Sequence, residues 1–277
     1  MTAMPPFVTF ISDFGAGDQY AGIVHGVISS VCPEAQVIHV SHEVEPQAVA
    51  MGARVLANAV PYLPVGVHLA VVDPGVGSER RGIVLRSGDG RLFVGPHNGL
   101  LVPAAEASGG IELAVHITEP RFMLEHISRT FHGRDVFGPV AGHLAAGVDP
   151  LEIGPTLEPD DLVRAVMPGF SRDGTVVVVD VQAIDRFGNV QLALGREDGD
   201  GLFEPGKWVE VATIEDRYLA LSVDTFTDAR PGELVLFEDS ERRLAIAINR
   251  GDAAELLDVI AGHSIRLEFE PRIDAPL

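Results

Sequence analysis

A carboxylate, a glycine-rich turn and two arginines follow one another in VVDPGVGSERR, residues 71–81. An apolar run of strand character precedes Asp73, so its carboxylate is predicted at the carboxyl end of a strand, where open α/β sheets bind ligands. The glycines would allow close backbone approach, and Arg80 and Arg81 would keep the carboxylate ionised. The pattern indicates acid–base or orienting chemistry. A tight surface turn capped by Asp73 accounts for the same residues equally well.

A second group of polar residues stands in TFHGRDVFGPVAGHLAAG, residues 130–147. His132, Arg134 and Asp135 are predicted at the start of a helix, where backbone N–H groups and the helix dipole favour anions. A histidine there can act as an acid–base or orienting group. The alternative is a structural role, in which Asp135 begins the helix and His132 is an ordinary loop residue.

A third carboxylate, Asp13, follows a predicted strand and precedes a glycine-containing turn in FISDFGAGDQY, residues 10–20. An acidic residue in this place suits hydrogen bonding to sugar hydroxyls, although the dinucleotide fingerprint G-x-G-x-x-G is absent and a plain helix cap is the alternative. His39 and His42 could join Asp13 and Asp73 at a metal. No H-E-x-x-H pattern supports such a site, and loop histidines are the more frequent case.

Composition excludes several classes of protein. The chain has 277 residues, 46% of them hydrophobic and 22% charged, as is typical of globular proteins. Its net charge of −20 would repel nucleic acid and anionic lipid, so neither is expected as a partner. One cysteine, Cys32, excludes disulfides and cysteine-based zinc sites. The first residues lack the features of a signal peptide and no apolar run could span a membrane, so we expect a cytoplasmic protein.

The elements that must position these residues fall into two groups. Strand and helix patterns alternate up to residue 147, and short strands follow one another closely after Pro168. This predicts an α/β N-terminal domain over 1–160, with a mixed, largely parallel sheet flanked by helices, and a smaller all-β, barrel-like C-terminal domain over 161–277. The elements predicted in the first domain are strands at 6–12, 36–40, 67–72, 82–87 and 91–95, and helices at 18–31, 47–60 and 134–147. Strands 82–87 and 91–95 are predicted to form a hairpin.

Six segments resemble a known family when they are taken together, in this order and at these spacings. They are SDFG (12–15), DQYAG (18–22), VVDPGVG (71–77), GPHNGLL (95–101), TFHGRD (130–135) and DRFGN (185–189). They resemble the S-adenosyl-L-methionine (SAM) hydroxide adenosyltransferases, which are related to the fluorinase and the chlorinase. The resemblance implies hydrolysis of SAM to adenosine and L-methionine without a metal or organic cofactor. It also implies a homotrimer, with active sites between the N-terminal domain of one subunit and the C-terminal domain of its neighbour.

The resemblance also assigns roles to individual residues. It implies that Asp73, Arg80 and His132 are the catalytic set, which would orient and activate the attacking water. The residues implied in substrate binding are Asp13 on the ribose hydroxyls, Asp185 on the methionine ammonium, Asn189 on the adenine edge, Ser240 on the methionine carboxylate and the backbone near Ile248 on the adenine.

The sequence departs from the family pattern in three places. His97 stands where the family usually has aspartate, and Ser12 replaces a common threonine. The segment SERRLAIAIN, residues 240–249, is more charged than the usual glycine-containing turn of the family.

Three other functions stay open at this point. The first is a SAM-dependent halogenase, although halogenases of this superfamily have tyrosine where Asp73 stands. The second is a non-catalytic adenosine- or SAM-binding protein, which would have no use for Asp73. The third is a metal-dependent hydrolase that uses His39, His42 and Asp13.

Overall fold

The computed structural model describes residues 6–198 and 201–270. Its contacts divide the chain into two compact units, Met1–Val166 and Met167–Leu277. The boundary predicted from the sequence, after residue 160, falls within the short 3-10 turn Pro159–Asp161 that precedes this division.

The N-terminal unit contains a six-stranded mixed sheet in the order β2-β1-β3-β5-β4-β6. Its strands are β1 (Phe7–Ser12), β2 (Gln36–Ser41), β3 (Val67–Val71), β4 (Gly82–Ser87), β5 (Leu92–Pro96) and β6 (Ile111–His116). The pairs β1–β2, β1–β3 and β3–β5 are parallel, whereas β4 pairs antiparallel with β5 and β6. The sheet is therefore mixed, as predicted, with three parallel and two antiparallel pairs, and the predicted β4–β5 hairpin is confirmed.

Four helices flank this sheet. They are α1 (Tyr20–Val31), α2 (Val49–Ala59), α3 (Val102–Ala107) and α4 (Gly138–Ala145). Helix α1 packs against α4, and α2 packs against α3. The buried positions Ala21, Val24 and Ile28 recur every three or four residues along α1, as expected for a helix with one face on a core. Every residue of β3 is buried, and β3 lies inside the sheet between β1 and β5.

The entry into α4 departs from regular helix geometry. A single π-helical turn, Gly133–Phe137, directly precedes α4. The turn and α4 together replace the continuous helix predicted over 134–147. Such turns often occur at functional sites because they redirect side chains within a helix. Gly147 follows α4 with a φ of +95°, the left-handed conformation expected after a helix end.

The C-terminal unit is a closed β-barrel. Its strands are β7 (Phe170–Asp173), β8 (Val176–Ile184), β9 (Val190–Gly195), β10 (Trp208–Ala212), β11 (Arg217–Ser222), β12 (Leu234–Glu238), β13 (Arg243–Ile248) and β14 (Ser264–Glu268). Strand β14 pairs with both β10 and β8, which closes seven strands into a ring, and β7 pairs with the outside edge of β8. The predicted barrel-like domain is thus confirmed.

Helix α5 (Ala253–Leu257) is a short helix of the C-terminal unit that precedes β14. Asp252 caps its first turn, and Asp258 ends it in the left-handed conformation with a φ of +49°. The sequence patterns missed β6, β7 and α3. None of the helices in the described part of the chain is long and apolar enough to cross a lipid bilayer.

Candidate active site

Asp73, Arg80 and His132 form a contiguous side-chain cluster just beyond the carboxyl end of β3. Nη2 of Arg80 donates a hydrogen bond of 2.5 Å to Oδ2 of Asp73 and lies 3.0 Å from Nδ1 of His132. The Arg80 and Asp73 side chains are only 9% and 7% exposed. The guanidinium also stacks on Phe137, its carbon 5.1 Å from the ring centre. One arginine nitrogen therefore joins the carboxylate and the imidazole.

This arrangement determines the protonation states of Asp73 and His132. Burial raises the pKa of Asp73 above its usual value, and Arg80 opposes the rise. Burial lowers the pKa of His132, and Arg80 lowers it further. His132 is therefore neutral near pH 7. Because its Nδ1 faces the Nη2 donor of Arg80, its proton lies on Nε2.

The second carboxylate oxygen of Asp73 is the reactive feature of this cluster. Oδ1 is buried and makes no hydrogen bond of ordinary geometry with a described residue, although the backbone N–H of Gly75 acts on the carboxylate and Oδ2 is held by Arg80. A buried carboxylate oxygen without a donor is costly unless a ligand or water supplies one. Oδ1 of Asp73 is thus an acceptor fit for a polar hydrogen of a nucleophile.

Short-range hydrogen bonds fix the turn between Asp73 and Arg80. The hydroxyl of Ser78 donates to the carbonyl of Gly75 at 2.6 Å and accepts the N–H of Arg80 at 3.2 Å. The Asn98 side chain donates to the carbonyl of Val72 at 2.9 Å and so anchors the end of the strand. Sequence reasoning missed Ser78 and Asn98, because small polar residues in loops carry no distinctive pattern.

Asp13 lies at the end of β1, next to the strand that carries Asp73. Ser12 is the register partner of Val71, and the N–H of Asp13 donates to the carbonyl of Val71 at 3.4 Å. Oδ2 of Asp13 accepts the N–H of Gln47 at 3.0 Å. Both carboxylates therefore follow the carboxyl ends of strands, as predicted, and the register shows that these two strands are neighbours.

Three aromatic rings stand beside these residues and were not identified from the sequence. Phe131 lies 5.6 Å from Phe14 and 5.2 Å from Tyr20, in edge-to-face contacts. The rings border a cavity of about 380 Å³. Its lining residues are Phe14, Tyr20, Ser128, Thr130, Phe131 and Arg134. Such a mixture of apolar walls and a few polar groups suits a small organic ligand.

Asp135 has a structural role in this cavity wall. Its side chain is completely buried and accepts hydrogen bonds from Nε of Arg134 at 2.6 Å and from the N–H of Ser128 at 2.8 Å. These contacts hold the segment before His132 against the π-helical turn. Of the three polar residues predicted at this helix start, His132 joins the Asp73 cluster, whereas Arg134 and Asp135 pair with each other.

In the C-terminal unit, three of the four residues implied in binding lie at one end of the barrel. Oδ1 of Asp185 accepts the N–H of Asn189 at 3.0 Å, and Oδ2 accepts its side-chain amide at 2.7 Å. Gly188 packs against Asp252, just beyond Ile248. Strand β13 pairs with β9 so that Ile246 lies opposite Val190, which brings Ile248 level with this turn.

Ser240 is not brought to this group. It lies in the exposed turn before Arg243, at the opposite end of β13 from Ile248. A strand of this length spans about 20 Å. In the same turn, Oδ1 of Asp239 accepts the N–H groups of Glu241 and Arg243 at 2.8 and 3.0 Å, and Oδ2 is buried without a described partner. No pattern in the sequence pointed to Asp239.

Phe187 is a further residue that sequence reasoning did not identify. Its ring is 70% exposed in the turn between Asp185 and Asn189. An exposed aromatic ring next to a fixed carboxamide offers both a flat apolar face and a polar edge, the two features by which planar bases are bound.

His97, which departs from the family pattern, connects two segments of the N-terminal unit by hydrogen bonds. The ring nitrogen Nε2 of His97 accepts the N–H of Val163 at 3.0 Å, and the backbone N–H of His97 donates to the carbonyl of Arg81 at 2.9 Å. Burial lowers the pKa of His97, and Arg81 and His116 lower it further, so the ring is neutral as this contact requires. None of these contacts involves Asp73, Arg80 or His132.

His39 and His42 are not arranged around a metal. Nδ1 of His39 and Nε2 of His42 are hydrogen-bonded to each other at 2.6 Å, so these two nitrogens do not point at a common metal centre. Across residues 6–198 and 201–270, no group of three or more histidine, cysteine, aspartate or glutamate side chains is placed to hold a metal ion.

The fold and the site together define a class: a two-domain protein with an α/β unit, a carboxylate–arginine–histidine cluster at its strand ends, and a β-barrel. Comparison with known protein families then identifies the family to which the chain belongs. The models of the SAM hydroxide adenosyltransferase N-terminal and C-terminal domains match residues 8–154 and 179–266. The chain belongs to this family, as its motifs predicted.

Individual relatives agree with this membership. An (R)-S-adenosyl-L-methionine hydrolase of Salinispora tropica is 45% identical over 265 residues, covering 96% of this chain and 98% of the relative. A fluorinase of an Actinoplanes species is 28% identical over 291 residues, covering 94% and 96%. The solved structure of an uncharacterized conserved protein from Thermotoga maritima has a TM-score of 0.86 at 33% identity, covering 94% and 99%.

Proposed function

We propose that this protein hydrolyses SAM to adenosine and L-methionine, with water attacking C5′ of the ribose. The observation that supports this most strongly is the free, buried Oδ1 of Asp73 in a carboxylate held by Arg80, which is itself in contact with His132. Membership of the SAM hydroxide adenosyltransferase family and the name of the Salinispora relative indicate the substrate. That name specifies the R form, so we propose this epimer as the preferred substrate.

The leaving group of this reaction needs no help from a protein side chain. The water oxygen bonds to C5′ while the C5′–S bond breaks. The electron pair of the broken bond stays on sulfur and neutralises the sulfonium. Methionine therefore leaves as a neutral thioether without protonation, and one water proton is released. The task of the protein is to aim the water and accept its proton. Asp73 does this through Oδ1, and its raised pKa makes it a stronger base than an exposed aspartate.

Arg80 and His132 act on this carboxylate. Arg80 fixes the rotamer of Asp73 and favours its charged form. His132 accepts from Arg80 through Nδ1, which leaves its Nε2–H as a donor for an oxygen atom at the reacting centre. Both residues thus prepare the site before substrate binds.

Substrate binding uses groups on both units of the fold. Asp13 binds the ribose hydroxyls, the Asn189 amide and the backbone near Ile248 bind the adenine edge, and Asp185 binds the methionine ammonium. Asp185 also orients the Asn189 amide, as their 2.7 Å hydrogen bond indicates. Ser240 stays a predicted contact of the methionine carboxylate, with no described contact to this group.

The family resemblance implies an oligomeric state, and the sequence itself predicts a cellular location. We propose a cytoplasmic homotrimer in which each site combines the N-terminal residues of one subunit with the C-terminal residues of its neighbour. No metal or organic cofactor takes part in the proposed reaction, because the sulfonium is already an activated leaving group.

The alternative that shares this fold is halide transfer to C5′, as in the fluorinase relative. The carboxylate of Asp73 disfavours it, because an anion beside the nucleophile position would repel a halide. A non-catalytic SAM-binding protein would gain nothing from a buried carboxylate with a raised pKa.

Product analysis tests this proposal. The purified protein is incubated with SAM, with and without chloride, before and after chelation, and the products are separated. We expect adenosine and methionine in equal amounts, unaffected by halide or chelator. A 5′-halo-adenosine, or loss of turnover on chelation, would contradict the proposal.

The role of Asp73 is tested with a matched pair of variants. Asp73→Asn should lower kcat by about 10²–10⁴-fold, the usual range for a general base, while adenosine still binds. Asp173→Asn removes an exposed carboxylate of β7 and should leave kcat unchanged. Equal turnover in the two variants would exclude Asp73 as the base.

A further inference from the structure

A row of hydrogen-bonded side chains runs from the end of β1 to the surface of the N-terminal unit. The Ser12 hydroxyl lies 2.7 Å from Nδ1 of His42, Nε2 of His42 lies 2.6 Å from Nδ1 of His39, and Nε2 of His39 lies 2.9 Å from Nδ1 of His25. Ser12 is completely buried, whereas His39 is exposed. None of these side chains contacts Asp73, Arg80 or His132 in the described hydrogen bonds.

The contacts of the row are compatible with hydrogen bonds that all run outwards from Ser12. Burial lowers the pKa values of His42 and His39, so both rings are neutral near pH 7. If the Ser12 hydroxyl donates to His42, each following ring must carry its proton on Nε2 and donate outwards. The Ser12 oxygen then accepts the N–H of Phe14, which it does at 3.3 Å. His42 therefore fixes the hydroxyl rotamer that supports the turn containing Asp13.

The loop that carries His42 holds the same turn through its backbone. The N–H of Gly15 donates to the carbonyl of His42 at 2.7 Å, and the N–H of Val44 donates to the carbonyl of Ser12 at 3.4 Å. Asp13 is enclosed between these contacts. Its Oδ2 accepts the N–H of Gln47 from the end of this loop.

Gln47 adopts a conformation that is unusual for its residue type. Its φ is +67°, in the left-handed region that side chains other than glycine, asparagine and aspartate rarely occupy. Strain of this kind costs about 1–3 kcal/mol and persists where surrounding contacts impose it. Here it directs the Gln47 N–H at Asp13.

We propose that His42 is a positioning residue that fixes the Ser12–Phe14 turn through its contact with Ser12 and thereby aims the Asp13 carboxylate at the substrate. The inference rests on the proposed function, because it takes Asp13 as the ribose contact. Residues 42–47 then form a second layer behind the ribose site. Their role is to hold one oxygen of Asp13, so that Oδ1 keeps a fixed direction.

Two substitutions of His42 separate positioning from folding. In His42→Asn, the short carboxamide places a polar atom where Nδ1 stood and can still contact Ser12, but the link to His39 is lost. In His42→Leu, both contacts are lost at similar side-chain volume. His25→Ala is the matched control, since it removes a histidine from the far end of the same row.

The readouts are the dissociation constant of adenosine by calorimetry, KM and kcat for SAM, and circular dichroism. His42→Leu should raise the adenosine dissociation constant and KM about tenfold, the effect of one misplaced hydrogen-bonding group, and change kcat by less than about threefold. His42→Asn should recover most of the loss, and His25→Ala should stay within about twofold of the wild type. Gln47→Gly, which relieves the strain and keeps the N–H, should bind normally.

The outcomes distinguish this inference from the proposed function. A wild-type protein that neither binds adenosine nor consumes SAM would overturn the proposed function, and the inference with it. Normal binding by both the wild type and His42→Leu would overturn the inference alone. Equal losses in His42→Leu and His42→Asn, or a fall in kcat as large as the rise in KM, would also overturn it.

Discussion

Gly77 approaches the backbone of Arg129 so closely that a Cβ atom on Gly77 would lie 2.3 Å from the Arg129 carbonyl oxygen. This contact joins the turn that carries Arg80 to the segment that leads into His132. With a φ of +76°, position 77 also requires the left-handed conformation that glycine adopts freely. The hydrogen bond between Arg80 and His132 therefore depends on a glycine that touches neither of them.

Gly77→Ala should accordingly damage the site and not only the fold. Gly90→Ala is the control, because Gly90 has a similar φ of +88° and no atom within 4 Å of an added Cβ. Gly77→Ala should be less stable than the control by about 1–3 kcal/mol, the usual cost of overpacking, and its kcat should fall at least about tenfold. Urea unfolding and SAM turnover measure the two effects. Identical behaviour of the two variants would mean that the contact has no functional role.

Removal of Arg80 should shift the pH dependence of catalysis. Asp73 must be ionised to accept a proton, its pKa is raised by burial, and Arg80 opposes that rise. Arg80→Met should therefore raise the pKa of Asp73 further and move the acidic limb of the kcat–pH profile to higher pH. Arg80→Lys keeps the charge and should shift the limb less. An acidic limb that stays in place or moves to lower pH in Arg80→Met would contradict this electrostatic account.

His68 should make the N-terminal unit sensitive to acid. It is completely buried between Thr9 and Phe93, and burial lowers its pKa from 6.5 to about 4. The unfolded chain thus binds a proton below pH 6.5 that the folded protein takes up only near pH 4. Stability is therefore lost as the pH falls through this window, by about 1.4 kcal/mol at pH 5.5.

The test of His68 compares urea unfolding at pH 7.5 and 5.5. His68→Asn keeps a partner for the Thr9 hydroxyl and does not titrate, so its loss of stability on acidification should be smaller by that amount. Parallel losses in the wild type and the variant would show that His68 does not set the acid sensitivity.

The proposed trimer makes a prediction about mixed assemblies. If each site combines the N-terminal residues of one subunit with the C-terminal residues of another, co-expressed Asp73→Ala and Asn189→Ala chains should recover activity. Random mixing would leave about a quarter of the sites intact. Each variant alone should be inactive. Mixed assemblies without activity would indicate that both sets of residues act within one subunit.

The sequence predicted what depends on local pattern. Hydrophobic periodicity located β1 and β3, and their ends carry Asp13 and Asp73, because parallel strands bring their carboxyl ends to one edge of a sheet. The β4–β5 hairpin followed from its glycine turn. Strand β6 and helix α3 were missed because each has only six residues, too few for a clear period.

Features that depend on distant contacts could not be predicted. The two histidines of the HVSH segment are close in sequence, but His25 joins them only through a side-chain contact between residues that are 14 positions apart. The π-helical turn before α4 arises where Asp135 is buried, which no local pattern signals. Likewise, the separation of Ser240 from Ile248 became visible only when β13 was placed in the barrel.

The most direct test of water attack at C5′ is turnover of SAM in H₂¹⁸O, followed by mass spectrometry of the adenosine. We expect one ¹⁸O atom in the 5′-hydroxyl of each adenosine, none in methionine, and formation of labelled adenosine by Asp73→Asn that is slower by about 10²–10⁴-fold. Adenosine without ¹⁸O, or a 5′-substituent other than hydroxyl, would contradict it.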